Sequence, residues 1–328
     1  MQYKDDKEFK EEFYRQIAGK GVEGALCIRT GSNIVRVLKK EVDPLYLMFG
    51  MDDLLDRIYS EMVGTGDLHN LTRAYIDLIG HSRTDLNILE IGAGTGSLTT
   101  AFLETLSPLP SHEQSSGKSS RISKYIYTDI SAWFFEKAKE RYKSWRNILD
   151  FQTLNIEIDP QEQGFAKGEY DIVVAGNVLH ATADLRKTLK HVRSLLKPGG
   201  RLILYEGIRQ DFLPTPLAFG QLAGWWLGVE PIRKWSAWIN EEEWGRVLRD
   251  TGFSGVDMSL KDRQDPDLHG FSILVASAVG NEAYQSRIST ETLIVIRVRL
   301  KMTLHPHLRT NGLKNMVFRI VRLPSIQT

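Results

Sequence analysis

Short apolar runs alternate with segments of helical periodicity over most of the chain. An apolar run of roughly four to eight residues bounded by turn residues is typical of a buried strand. The pattern predicts seven strands, at residues 87–91, 124–127, 151–154, 171–176, 201–205, 253–258 and 271–277. Strands separated by helix-length segments favour a mostly parallel sheet with helices on both faces, an α/β fold.

The segments between these strands carry apolar residues at helical spacing, most clearly at Leu185, Leu189, Val192 and Leu196. That helix is predicted to end at the breaker sequence KPGG of residues 197–200. Two further helices are predicted at residues 98–106 and 133–145. Asn240, with Glu243 three residues later, predicts the start of another helix, and Gly252 predicts its end.

The two ends of the chain have weaker patterns. Phe9, Phe13 and Ile17 predict an N-terminal helix, whereas the four glycines within residues 19–33 predict a linker. Residues 107–123, rich in Ser, Pro and Gly, predict a mobile insertion. Residues 280–328 carry eight Lys or Arg against two Glu, with a strand-like run at 292–300. We expect a helical segment at 1–80, a main domain at 81–279 and a basic tail of unknown structure at 280–328.

Composition narrows the class of protein. The 328 residues are 42% hydrophobic and 25% charged, with a net charge of +1, which gives no reason to expect a nucleic-acid partner. No stretch approaches the length of a membrane span, and the charged start is unlike a signal peptide. The single cysteine, Cys27, excludes an internal disulfide framework and a cysteine-based zinc site. We therefore expect a cytoplasmic protein of the size of an enzyme, with no membrane partner. No metal site is predicted.

A glycine loop follows the first predicted strand. Its sequence, Glu90-Ile91-Gly92-Ala93-Gly94-Thr95-Gly96, allows a sharp turn and a close approach of the backbone to a ligand. The spacing G-x-G-x-G differs from the dinucleotide fingerprint G-x-G-x-x-G, and the phosphate-loop ending G-K-[ST] is missing. A tight turn without a ligand remains an alternative.

A second acidic residue, Asp129, ends the second predicted strand. A carboxylate at this place can accept hydrogen bonds from both ribose hydroxyls of a nucleoside. Its distance from the glycine loop exceeds the usual spacing by about the length of the Ser-rich insertion. The alternative is an aspartate that caps the following helix.

With these features the chain resembles the class I S-adenosylmethionine-dependent methyltransferases, which have a Rossmann-like seven-stranded sheet. The segments DIVVAGNVLH at 171–180, LKPGG at 196–200 and LILYE at 202–206 fit in the same order. The resemblance implies S-adenosyl-L-methionine as cofactor. It also implies cofactor-binding residues, namely Glu90, Gly92, Ala93, Gly94, Gly96, Asp129, Asn155, Ile156 and Asn177. Asn155 stands where the family usually has an aspartate near adenine.

A narrower resemblance is to the C-methyltransferase domains of fungal highly reducing polyketide synthases. It rests on NVLHAT at 177–182, GWWLG at 224–228, EEEW at 241–244 and GFSG at 252–255. VDPL at 42–45 and DDLL at 52–55 fit the N-terminal helical lid of those domains. The matching region is about 30–278, without ketosynthase, acyltransferase or carrier-protein sequence.

The predicted strands also place His180 and Glu206 together. Strands four and five are neighbours in this fold, about 4.8 Å apart. His180 lies just beyond the carboxyl end of strand four, and Glu206 lies at the carboxyl end of strand five. A carboxylate beside an imidazole fixes its tautomer and makes it a better base. The domains that the chain resembles use a His–Glu pair in these motifs, so we predict His180 and Glu206 to be catalytic.

We therefore expect methylation of the α-carbon of a β-ketoacyl thioester in secondary metabolism. The acyl substrate would be free or bound to a carrier protein, with a polyketide synthase as possible partner. Two alternatives stay open. One is a small-molecule O- or N-methyltransferase of secondary metabolism, and the other is a non-catalytic scaffold or relic domain.

Overall fold

The computed structural model describes residues 6–49, 54–61, 65–109, 119–280, 294–298 and 316–320. The chain divides into a unit of residues 1–278 and a unit of residues 279–328. In the second unit, strands β8 (Ile294–Val298) and β9 (Met316–Ile320) form an antiparallel pair. The strand predicted within 292–300 is therefore present as β8.

The first unit begins with helices, followed by alternating strands and helices. The helices are α1 (Lys7–Ala18), α2 (Val22–Leu38), α3 (Pro44–Phe49), α4 (Leu54–Glu61), α5 (Thr65–Ser82), α6 (Ser97–Leu106), α7 (Phe135–Arg141), α8 (Leu185–Leu195), α9 (Pro214–Phe219) and α10 (Glu241–Asp250). The strands are β1 (Leu86–Ile91), β2 (Ile122–Asp129), β3 (Leu149–Thr153), β4 (Tyr170–Gly176), β5 (Leu196–Gly207), β6 (Met258–Lys261) and β7 (Phe271–Ser277).

The seven strands of this unit form one sheet in the order β3-β2-β1-β4-β5-β7-β6. Strands β1 to β5 run parallel, and β7 is antiparallel to both of its neighbours. The predicted fold class is confirmed. After β3 the chain crosses to the other side of β1, so the carboxyl ends of β1 and β4 diverge into a crevice, where open α/β sheets bind ligands.

The core lies where α8 and α10 cover one face of the central strands. Leu189 and Val192 of α8 and Trp244 and Leu248 of α10 are buried against apolar residues of β4, β5 and β7. The two helices begin at Asp184 and Asn240, whose side chains accept hydrogen bonds from backbone N–H groups of the first turn. The predicted cap pair of Asn240 and Glu243 is present as a reciprocal capping box.

The structure corrects the predicted linker at residues 19–33. This segment forms most of α2, which starts at Val22. A Cβ atom at Gly24 would lie 2.1 Å from the carbonyl oxygen of Ile17, so glycine lets α1 and α2 pack closely. The glycine content thus reflects helix packing here rather than a flexible connection.

A second correction concerns the strand predicted at 253–258. Strand β6 is Met258–Lys261, and Phe253 makes only an isolated bridge to Ala278. Gly252 and Gly255 have φ of 91° and 100°, which interrupts an extended chain. The predicted insertion at 107–123 falls largely on residues 110–118, outside the described residues, as do Asp52 and Asp53 of the predicted lid.

The division of the first unit at residue 80 stays a prediction, and α5 spans that position. Within the described ranges of the chain, no helix is long and apolar enough to cross a membrane.

Candidate active site

A cavity of about 330 Å³ opens at the carboxyl ends of β1 and β4. The glycine loop forms one wall, and the ends of β2 and β4 and the residues after β3 form the others. Of the residues predicted from the sequence to bind a cofactor, the cavity is lined by Glu90, Gly92, Ala93, Gly94, Asp129, Asn155, Ile156 and Asn177. The crevice implied by the strand order is thus the place where most of the predicted residues meet.

The three loop glycines have different roles, although all have positive φ. A Cβ atom at Gly92 would lie 2.3 Å from Val178, and one at Gly96 would lie 2.2 Å from the hydroxyl of Tyr142. A Cβ atom at Gly94 would meet nothing closer than 3.8 Å. Gly92 and Gly96 are therefore required by packing, and Gly94 opens the cavity wall to a ligand. Gly96 is not among the lining residues.

Glu90, the acidic residue at the start of the glycine loop, stabilises the loop from within the protein interior. Glu90 is 2% exposed, and its Oε2 accepts hydrogen bonds from the hydroxyls of Thr99 and Tyr125. Burial raises the pKa of Glu90 to about 7 despite these hydrogen bonds. The loop is also tied to β2, because the Ala93 N–H donates to the carbonyl of Thr128 at 2.9 Å.

Asp129 lies at the end of β2 and faces the same cavity. Its Oδ2 accepts the Gly94 N–H at 3.1 Å, and its Oδ1 accepts the Ser131 N–H at 2.9 Å. Burial raises the pKa of Asp129, and the backbone hydrogen bonds partly oppose this. Each oxygen keeps a further lone pair for a ligand hydroxyl.

The residues after β3 close the far end of the cavity. The Oδ1 of Asn155 accepts the Glu157 N–H at 3.0 Å, and Gln163 binds both backbone groups of Asn155. Ile156 and Glu157 line the cavity beside it, and the Glu157 carboxylate accepts the Ala183 N–H at 2.7 Å. These contacts hold the loop in one conformation.

Asn177 follows β4 in a left-handed conformation, with φ of 53°. Its N–H donates to the carbonyl of Tyr205 at 2.7 Å, which fixes the backbone. Its Oδ1 is buried and has no hydrogen-bond partner among the described residues. A buried amide oxygen without a protein partner is costly, which makes Asn177 a candidate to accept a hydrogen bond from a ligand.

His180 and Glu206 meet beside the cavity. The His180 Nδ1 lies 2.6 Å from the Glu206 Oε2, and the other carboxylate oxygen accepts the Leu179 N–H at 3.2 Å. Glu206 is fully buried, and the His180 side chain is 12% exposed. Glu206 lies at the end of β5, and His180 lies in the short turn Leu179–Ala181 that follows β4. The contact predicted from the sequence is present.

Aromatic rings surround the imidazole of His180. The ring centres of Trp225 and Trp238 lie 6.0 and 6.4 Å from it. Phe271 of β7 packs on Trp238 at 5.2 Å. A Cβ atom at Gly207 would lie 2.1 Å from the Trp238 ring, so this indole reaches His180 only because residue 207 is glycine.

Comparison with known proteins places this site in a family. Residues 89–202 match the family described as methyltransferase domain. The CurJ carbon methyltransferase has a TM-score of 0.71 at 33% identity, over 83% of this chain and 71% of that chain. The trans-methyltransferase CalH, in complex with SAH, has a TM-score of 0.69 at 31% identity, over 83% of this chain and 72% of that chain.

The chain belongs to the carbon methyltransferases. The predictions of a methyltransferase dependent on S-adenosylmethionine, and of carbon rather than oxygen or nitrogen methylation, are confirmed at the level of the family. A highly reducing polyketide synthase of Aspergillus carbonarius is 42% identical over 270 residues, which are 82% of this chain and 10% of the synthase. The chain spans about a tenth of the length of the curated relatives that it matches.

The cavity of this carbon methyltransferase fits its cofactor in two respects. Gly94 opens the wall where a side chain would fill the space, and the Asn177 Oδ1 is buried without a protein partner. Asp129 adds acceptor oxygens at the end of β2, the place predicted for ribose. These acceptor oxygens suit the hydroxyl and amino groups of a nucleoside.

The sequence analysis missed several residues of this cavity, and His69 is the titratable one that comes from the N-terminal helices. His69 of α5 lines it, and its Nε2 lies 3.1 Å from the Ser97 Oγ. Burial, with a smaller effect of Arg73, lowers the pKa of His69. Its position depends on how α5 packs against the sheet, which no local pattern around residue 69 indicates.

Proposed function

We propose that this domain methylates the α-carbon of a β-ketoacyl thioester, with His180 as the general base. The likeness to highly reducing polyketide synthases supports an acyl chain carried by a synthase as the acceptor. In this proposal the partner is the carrier protein of such a synthase. A cytoplasmic location stays a prediction.

The contact between the His180 Nδ1 and the Glu206 Oε2 at 2.6 Å carries the proposal. An ionised carboxylate can only accept a hydrogen bond, so the Nδ1 must hold the proton and donate it. The Nε2 then has the free lone pair. Because the opposite oxygen of Glu206 is held by the Leu179 N–H, the carboxylate keeps the imidazole in this tautomer and orientation.

His180 removes one proton from the carbon between the ketone and the thioester. The electron pair of that C–H bond passes into the enolate, and the proton moves to the Nε2. S-adenosylmethionine, when bound, supplies an electrophilic methyl group. The enolate carbon would bond to that methyl group as the methyl–sulfur bond breaks, with SAH as the leaving group. The Glu206 carboxylate stabilises the imidazolium that His180 becomes. The proton then leaves to solvent.

The remaining predicted residues hold the cofactor in this proposal. Gly92, Ala93 and Gly94 surround the methionine part, and Asp129 accepts the ribose hydroxyls. Asn155 and Ile156 would face the adenine, and the Oδ1 of Asn177 would accept a hydrogen bond from the cofactor. Glu90 and Gly96 act indirectly, because their contacts hold the glycine loop in its conformation.

The test is the position of the new methyl group. Purified protein is incubated with acetoacetyl-N-acetylcysteamine thioester and S-adenosylmethionine labelled with ¹³C at its methyl group, and the product is analysed by NMR. We expect a carbon-bound methyl at the α-position. A methoxy signal, or methylation of hydroxyl or amine acceptors in place of the thioester, would overturn the proposal. So would a folded protein that does not bind S-adenosylmethionine in calorimetry.

A further inference from the structure

The loop that carries His180 has little regular structure of its own. A single short turn covers Leu179–Ala181, and the chain enters α8 at Leu185. The turn has two backbone hydrogen bonds, from Ala181 to Val178 at 3.0 Å and from Thr182 to Leu179 at 3.2 Å. Hydrogen bonds from outside the loop therefore contribute to the conformation of the backbone at His180.

A buried guanidinium binds three carbonyl groups of this loop. The Arg233 Nη1 donates to the carbonyls of His180 and Thr182 at 2.9 and 2.7 Å, and its Nη2 donates to that of Ala183 at 2.8 Å. The side chain of Arg233 is 0% exposed. A planar fork of donors can hold several fixed acceptors at once, which a lysine ammonium on a flexible stem cannot do.

Glu230 completes the arrangement on the same segment. Its Oε2 accepts hydrogen bonds from the Nε and Nη2 of Arg233, and its Oε1 accepts the Leu185 N–H at 2.6 Å, at the start of α8. The Val229 N–H also donates to the Ala183 carbonyl at 3.0 Å. Residues 229–233 thus follow the loop from His180 to the first turn of α8.

The second glycine of the GWWLG motif makes room for this guanidinium. A Cβ atom at Gly228 would lie 2.9 Å from both the Cζ and the Nε of Arg233. The same motif contributes Trp225, which packs at the edge of the His180 ring. One segment therefore contacts the imidazole from one side and holds its backbone from another.

We infer that Arg233 is a positioning residue that fixes the backbone of the general base, while Glu206 fixes its ring. This inference rests on the proposed function. A buried charge is expensive unless its hydrogen bonds are complete, and here most of them go to the His180 loop. Losing the fork frees the loop, and a displacement of about 1 Å in a catalytic group costs roughly 100-fold in rate.

The test separates proton removal from methyl transfer. With SAH bound, the rate of α-deuterium uptake by acetoacetyl-N-acetylcysteamine thioester in D₂O is measured above the rate without protein. For Arg233→Lys we expect this rate, and kcat for methylation, to fall by roughly 30-fold. We expect KM for the thioester and Kd for SAH to stay within about 3-fold. Arg186→Gln is the matched control, because it breaks an exposed arginine–aspartate pair that does not contact the loop.

A second variant keeps the guanidinium of Arg233. Gly228→Ala pushes a methyl group against the guanidinium, and we expect a loss of about 5-fold in both rates, with little change in SAH affinity. This variant decides the question if Arg233→Lys does not fold.

Two results would overturn the inference alone. In the first, folded Arg233→Lys exchanges within 2-fold of the wild-type rate while His180→Gln is inactive. In the second, the loss of exchange rate in Arg233→Lys disappears when the temperature is lowered until the variant is fully folded. The loss would then come from unfolding and not from a displaced base. If His180→Gln itself exchanges at the wild-type rate, the proposed function fails, and the inference fails with it.

Discussion

Two histidine–carboxylate pairs lie at different places in this domain and have nearly the same contact distance. The His180 Nδ1 lies 2.6 Å from Glu206, and the His269 Nδ1 lies 2.7 Å from Asp262. Both imidazoles are largely buried, with side chains 12% and 9% exposed. Contact distance and burial therefore do not distinguish a base from a structural ion pair.

The surroundings of the Nε2 atom distinguish the two histidines. The His269 Nε2 lies 3.5 Å from Glu241 and 3.2 Å from the Ser272 hydroxyl, between β6, β7 and α10. Burial disfavours the charged ring, but hydrogen bonds to Asp262 and Glu241 outweigh it and raise the pKa of His269 to about 9. His269 is therefore an imidazolium at neutral pH and has no lone pair to offer.

His180 has a carboxylate at its Nδ1 and two aromatic rings near its imidazole. Trp225 and Trp238 lie at the edges of its ring, and neither side chain carries a charge. A histidine between two acids retains a proton, whereas one with an acid only at the Nδ1 can take a proton at the Nε2. The comparison supports the proposal that His180 is the base, with His269 as a structural charge.

The largest expected effect comes from replacing each histidine in turn. His180→Gln should lower kcat for methyl transfer by about 1,000-fold, because general-base catalysis is lost. Its affinity for SAH in calorimetry should stay within about 2-fold, since the glycine loop and Asp129 are unchanged. His269→Gln, assayed at a temperature where it is folded, should keep kcat within about 3-fold.

The opposite pattern of activities in these two variants would contradict the assigned roles of the histidines. Full activity of His180→Gln would remove the general-base assignment. A specific loss of kcat in folded His269→Gln would move the chemistry toward the β6–β7 hairpin.

A smaller effect is expected from replacing Asp129, the carboxylate of the proposed cofactor site. Asp129→Ala should weaken SAH binding by roughly 10- to 100-fold, because charge-assisted hydrogen bonds to a ligand contribute about 1.5–3 kcal/mol. Calorimetric titration measures it directly. Asp150→Ala on β3 is the matched control, since this exposed carboxylate pairs only weakly with Lys124 at 3.8 Å. Equal affinities of the two variants would contradict a role of Asp129 in the cofactor site.

The sequence predicted the sheet and the His180–Glu206 contact because both follow from strand ends in a parallel sheet. Local pattern and order along the chain suffice for such contacts. The prediction for 19–33 was wrong because composition does not reveal whether a glycine serves flexibility or close packing, as at Gly24. The strand at 253–258 was wrong because the positive φ of Gly255 depends on its surroundings.

Contacts between distant segments could not be read from pattern. His69 reaches the cavity from α5, and Arg233 reaches the His180 loop across about 50 residues of chain. Nor could the sequence place Glu241 beside His269, which is the contact that separates the two histidines. Each depends on the packing of helices and loops on the sheet, and periodicity carries no information about partners.

The smallest expected effect is on the pH dependence of stability, which tests whether His269 is charged. The pKa of His269 is raised from 6.5 to about 9, so its stabilising effect is complete below pH 6.5 and is lost as pH rises through 9. In urea unfolding, the difference in free energy of unfolding between the wild type and His269→Gln should fall by about 2 kcal/mol between pH 6.5 and 9.5. The difference curve cancels other groups that titrate in both proteins.

The acidic side of this cluster lies outside that window. Burial opposes ionisation of Glu241, but hydrogen bonds from His269, Ser259 and Ser272 outweigh it and lower its pKa to about 2. Its contribution is present above pH 4.5 and is lost only as pH falls through 2. Glu241→Gln leaves His269 with one carboxylate, as His180 has, so the pKa of His269 should fall. The loss of stability at alkaline pH should then occur at a lower pH than in the wild type. A difference curve that stays flat from pH 6.5 to 9.5 would mean that His269 is not held as a cation, and the second carboxylate would no longer explain why only one of the two histidines can act as a base.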